Sequence, residues 1–177
     1  SGNIKKSEIE LIEPQKYLFL KNKIKNINLD KSEFKIKYNK KNEKSLDISG
    51  SYKINDNLFQ RFNIKHSQHI NSQKISFNGS FDDEILIPIL NYNSNNNIVN
   101  IDTLLETKKD KINFKKINFS QEKNKINIKN LQIDNKQLIK FDKIMVKTFK
   151  KDNLNNDFQI NFGKKIKIKG KSYDATN

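Results

Sequence analysis

The chain contains no cysteine, no tryptophan, two prolines and five glycines in 177 residues, and Arg61 is its single arginine beside 34 lysines. Without cysteine there is no disulfide framework and no thiolate nucleophile, which suits a reducing cytosol and a periplasm equally. So few glycines, in no triplet repeat, exclude a collagen. The longest uninterrupted apolar stretch, Ile85 to Leu90, is far shorter than the about 20 apolar residues of a membrane-spanning helix. The near absence of arginine removes the planar, bidentate guanidinium on which base readout leans. A formal net charge of +15 then leaves only unspecific attraction to phosphate, so a specific nucleic-acid partner is not expected.

What is abundant is lysine, asparagine and isoleucine, with 34, 28 and 26 copies, half of the chain. All three are encoded by codons rich in A and T, so part of the positive charge reflects base composition. The length suits one domain, and residues 1–177 read as a single segment, a fragment of a longer repetitive protein. Neither end has the basic, apolar and small-residue order of a secretion signal, and Ser1-Gly2 resembles the scar of a removed tag.

The dominant pattern is alternation with period two, which sends successive side chains to opposite faces of a sheet. Leu46, Ile48, Gly50, Tyr52 and Ile54 share one parity, with Ser45, Asp47, Ser49, Ser51 and Lys53 on the other. Further strands run through Phe34, Ile36 and Tyr38; Phe62, Ile64 and His66; Ile75, Phe77 and Phe81; and Phe158, Ile160, Phe162, Ile166 and Ile168. Turn residues such as Asn55-Asp56-Asn57, Gln121 to Asn124 and Asp152 to Asp157 separate them, at the spacing of an antiparallel meander. The parity flips between Phe114 and Ile117 and between Ile128 and Leu131, which predicts β-bulges and a curved sheet. Ile98, Ile101, Leu104 and Leu105 have the spacing of a short helix near 98–107, with a bulged strand as the alternative. Ile85 to Leu90 is apolar on both faces, a buried strand or a strand end capped by another element, with Pro88 demanding an edge or a bulge. The fold class expected is all-β: a long, curved and twisted antiparallel meander.

Catalytic constellations are lacking: the sequence has no nucleophile elbow, no phosphate-binding glycine loop and no zinc-protease motif, so an enzyme is not expected, and no cofactor or metal either. His66 and His69 are three apart in strand and turn, on opposite sides of a sheet. Asp82, Asp83 and Glu84 could ligate a hard cation, but no glycine-punctuated calcium loop surrounds them and a solvated turn is the favoured reading. Lys164 to Lys171 reads as a strand with Ile166 and Ile168 inward and lysines outward.

An amphipathic single layer of this size exposes too much apolar surface to stand alone, so it must close, pair with a second sheet, or hold something apolar. As an open groove, its lining is expected at Ile36, Ile48, Tyr52, Phe62, Ile64, Phe77, Phe158, Ile160, Phe162, Ile166 and Ile168. The alternative is a closed β-sandwich interaction module of a surface or secreted protein, working through loops at 91–97 and 152–157.

Residues 83–175, from Ile85-Leu86-Ile87-Pro88-Ile89-Leu90-Asn91-Tyr92 through the bulged meander to Phe162-Gly163-Lys164-Lys165-Ile166-Lys167-Ile168-Lys169-Gly170 and Tyr173-Asp174-Ala175, resemble the AsmA-like region of YhdP-type proteins. These belong with AsmA and TamB among bacterial bridge-like lipid-transfer proteins. The resemblance implies a taco-like β-groove in the periplasm of a Gram-negative bacterium, carrying phospholipid acyl chains between inner and outer membrane. It implies no catalytic residues, and anchoring to the inner membrane by sequence upstream of this chain.

Overall fold

A computed structural model of the protein describes residues 1–16, 20–39, 43–95, 97–109, 111–134, 137–162, 165–169 and 171–174. In chain order the strands are β1 (Gly2–Gln15), β2 (Ile24–Asn39), β3 (Glu43–Ile54), β4 (Gln60–His69), β5 (Ser72–Phe81), β6 (Leu86–Ile87), β7 (Tyr92–Asn93) and β8 (Val99–Lys108). There follow β9 (Lys111–Gln121), β10 (Asn124–Asp134), β11 (Gln137–Lys140), β12 (Lys143–Lys150), β13 (Asn153–Asn161), β14 (Lys165–Ile168) and β15 (Lys171–Asp174). A 3₁₀ turn, Pro88–Leu90, links β6 to β7, and no α-helix occurs among the described residues.

Thirteen strands form one antiparallel sheet in the order β1-β2-β3-β4-β5-β8-β9-β10-β12-β13-β14-β15, with β11 sharing the edge of β10 with β12. Each strand pairs with its chain neighbour, as hairpins built from alternating sequence and short polar turns require. There are two departures: β11 pairs back onto β10 alone, which also pairs β12, and in the excursion between β5 and β8 the strands β6 and β7 pair with each other. The sheet begins at β1 and ends at β15 without closing into a barrel, so the fold is the open all-β meander.

The bulge expected between Phe114 and Ile117 is present: in the β8–β9 ladder Leu104–Lys116 is followed by Leu105–Phe114, so Lys115 is the extra residue. Between β9 and β10 the register does not shift, Lys129–Lys116 being followed by Leu131–Phe114 with Asn130 and Lys115 facing each other unpaired in the ladder. On its other side β10 shifts register against β11 between Gln132 and Ile133, just beyond the expected place. Asn130 takes a left-handed φ of 52°, which its short amide side chain tolerates. Next to it the chain breaks between β11 and β12 at Phe141-Asp142. That break is fastened by Asp142 N–H to Lys129 O at 2.9 Å and by Asn130 Nδ2 to Asp142 Oδ2 at 2.6 Å. A crease therefore runs across β8 to β12, and extra residues of this kind bend strands and increase their twist.

The segment near 98–107 is strand β8, not a helix. It lies between β5 and β9 and pairs with both along its length, so its backbone groups are used in two ladders. A lone helix of that length would be marginal in water. Val99, Ile101, Thr103 and Leu105 share the apolar face, and Leu104, which suggested helical spacing, lies on the other face.

Candidate functional site: an apolar groove strapped at one end

Directly opposed residues of an antiparallel pair lie on the same face. One such row crosses the main path from β1 to β14: Gly2, Phe34, Ile48, Ile64, Phe77, Thr103, Ile117, Ile128, Ile144, Ile160 and Ile166. A second row, from Gly50 through Phe62, Gly79, Ile101, Phe119, Ile126, Val146 and Phe158 to Ile168, runs beside it over nine strands. The ladder consumes the backbone N–H and C=O groups, so this face presents almost nothing but hydrocarbon and aromatic carbon.

The register puts the residues expected to line a groove on this one face. Ile48, Ile64, Phe77, Ile160 and Ile166 stand in the first row, and Phe62, Phe158 and Ile168 in the second. Ile36 is opposed to Leu46 two residues beyond Ile48. Tyr52 lies four residues the other way, its ring edge-on to Phe62 and Phe81 at 5.7 and 5.8 Å. Phe162 follows Ile160 and packs edge-on against Phe141 at 5.8 Å. Ile36, Phe162 and Ile168 are 50, 57 and 46% exposed, so this surface is uncovered over part of its extent.

At one end it is covered. The excursion 82–95 folds back over the face, and Ile85 and Tyr92 bury themselves with Val99, Phe119, Ile126 and Val146. Ile87, Leu90 and Leu20, the last from the connection between β1 and β2, pack on this cluster. Tyr92 stands edge-on to Phe119 at 5.4 Å and donates its hydroxyl to Gln121 Oε1. Gln121 Nε2 donates to Ser94 O at 2.7 Å, and Ser94 Oγ accepts from Ile85 N–H at 2.9 Å. On one flank Lys21 N–H donates to Glu84 O at 2.8 Å and Lys21 Nζ reaches Glu84 Oε2 at 2.6 Å. On the other, Asn155 and Asn156 of β13 donate their side-chain amides to Leu90 O at 3.1 and 2.7 Å. The excursion is thus a strap tied at both flanks and in the middle.

Two expectations are corrected here. Asp83 and Glu84 are not in a solvated turn but are 3 and 8% exposed. Asp83 Oδ1 accepts from Asn22 Nδ2 at 3.0 Å, Glu84 Oε1 from Asn93 Nδ2 at 2.7 Å, and Asp82 Oδ2 from Leu58 N–H at 2.6 Å. Each carboxylate serves a separate structural bond because the strap and its anchor must satisfy their polar groups where they cover an apolar face. Pro88 sits at the start of a 3₁₀ turn, where its missing N–H is no loss, and not at a sheet edge or bulge. The apolar run itself carried the signal for the strap: Ile85 to Leu90 lacks alternation because the segment lies on a sheet instead of in one.

The hydrogen bonds from Lys21 and Asn93 hold the Glu84 carboxyl below the usual glutamate range. Burial, with the Asp82 carboxylate nearby, pushes the Tyr52 phenol above its ordinary value, and burial with Glu122 does the same to Tyr92. Both phenols stay neutral at physiological pH and act as hydrogen-bond donors, Tyr52 to Ser80 O at 2.7 Å. His66, opposed to Leu46 and Ile75, lies on the apolar face, and His69 lies on the other. Among the described residues no three His, Asp or Glu side chains gather as a metal site. None of the described helical segments is long and apolar enough to cross a membrane. Beyond the strap, a polar cavity of about 550 Å³ is lined by Asn91, Asn95 and Asn97 together with Lys123, Lys150 and Asp152; of the loop expected at 152–157, residues 153–157 belong to strand β13.

Searches against protein-family models, curated proteins and solved structures find no match to this chain.

Proposed function

We propose that the chain is a non-enzymatic segment of a bridge-like, periplasmic protein whose apolar groove holds phospholipid acyl chains during transport between inner and outer membrane. The observation that carries this reading is the row of opposed, mostly apolar residues that crosses the unclosed sheet from β1 to β14. Such a face carries few polar groups, Thr103 and His66 among them, and its attraction is largely non-directional, which favours hydrocarbon over polar ligands. An apolar surface of this continuity exceeds what soluble proteins leave uncovered without a ligand or partner. The likeness of residues 83–175 to AsmA-like regions supplies the membrane setting, with the anchor placed in sequence outside this chain. A closed sandwich is the weaker reading, because a second layer would have to cover the whole face and the strap covers one end.

Native mass spectrometry of the purified chain, followed by organic extraction, tests the proposal. Phospholipid is expected to accompany the wild-type chain and to be lost from Ile48→Asp and Tyr52→Asp variants that remain folded. A folded chain that carries no lipid and takes up no fluorescent phospholipid overturns it.

A further inference from the structure

We infer that the strap is a length stop: it closes one end of the groove and sets how much of an acyl chain the protein can enclose. The inference rests on the acyl-chain reading. Its ground is that the strap is bonded at both flanks and in the middle, through Lys21–Glu84, Asn156–Leu90 and Tyr92–Gln121, so it is a fixed wall and not a loose flap. The wall stands over Phe119 and Ile126. On β9 the residues of this face beyond the wall are Ile117, Phe114 and Ile112, and Ile112 is 38% exposed at the far end. At a rise of about 3.4 Å per residue, Ile117 to Ile112 measures roughly 17 Å. One leaflet of a bilayer, half of a hydrocarbon core of about 30 Å, is roughly 15 Å deep. A chain admitted from the uncovered end therefore meets the strap after about the length that it occupies in a membrane.

Ile87 and Leu90 pack on the cluster beneath the strap, and Leu90 enters its polar ties through its carbonyl and not its side chain. Binding of lysophosphatidylcholines of increasing chain length to the full chain reads the stop directly. Each added methylene raises affinity about fourfold while it is being buried, and the rise ends where the chain reaches the wall. Leu90→Ala is expected to move that plateau to longer chains and Ile87→Phe to shorter ones. The opposite directions keep the test independent of a general loss of stability. Binding with the same plateau in all three proteins, or with no plateau, overturns the stop and leaves the acyl-chain reading standing. No binding at any length by folded protein overturns both.

Discussion

The ammonium of Lys21 stands 2.6 Å from Oε2 of Glu84, joining the connection between the first two strands to a segment 63 residues further along the chain. Lys21 is half exposed whereas the Glu84 carboxylate is almost covered, so the bond ties a surface residue to a covered one of the strap itself. A glutamate held below its ordinary value stabilises the folded state above the ordinary glutamate range and loses that contribution as pH falls through the lowered value. Thermal unfolding of wild type and Glu84→Gln should therefore differ at neutral pH and converge only once the pH has fallen below the lowered value. Equal melting temperatures at every pH would show that the bond does not hold the strap.

Gly50 should tolerate no side chain. A Cβ there would come 2.7 Å from Cα of Ser32, a buried residue beside the register shift in β2. Backbone cannot yield as a flexible side chain can, so Gly50→Val is expected to cost about 2 kcal/mol or more in urea unfolding. Ser51→Val, on the polar face of the same strand, should stay within about 0.5 kcal/mol.

The two ends of the groove should differ in mutational sensitivity. Phe119 is 7% exposed beneath the strap and Ile36 is 50% exposed at the uncovered end. Phe119→Ala should destabilise by about 4 kcal/mol through a cavity, whereas Ile36→Ala should cost less than about 1 kcal/mol in lipid-free protein. Similar losses at both positions in denaturant titrations would mean that the far end is also covered.

On the polar face Lys129 is opposed to Lys116 on one side and to Lys143 on the other. Like charges directly across a sheet repel, so Lys129→Glu should stabilise the fold by about 0.5–1 kcal/mol at low salt. The gain should shrink as salt screens the exposed charges. A loss of stability would show that Lys129 has a role other than solvation.

The strands were legible because period-two alternation is a direct record of which face is wet. Leu46 to Ile54 displays it without interruption; the flip at Phe114–Ile117 announced the bulge at Lys115, and the flip at Ile128–Leu131 corresponds to the left-handed backbone at Asn130. The segment 98–107 misled because Leu104 adds an apolar residue to the polar face, next to Leu105, and periodicity over so few residues does not separate the two structures. Asp83 and Glu84 misled for another reason. A carboxylate looks solvated until its partners are known, and Asn22 and Lys21 lie some 60 residues away.

The sequence alone determined that this protein is a chain of amphipathic strands, one face of them apolar, because alternation is a local property carried by each strand separately. Only the tertiary structure decided which strands align into one row, that the sheet stays open, and that residues 82–95 lie across one end of the apolar face. These depend on register and on bonds between distant residues, and a local pattern holds no information about which distant partner will satisfy a buried polar group or cover an apolar one.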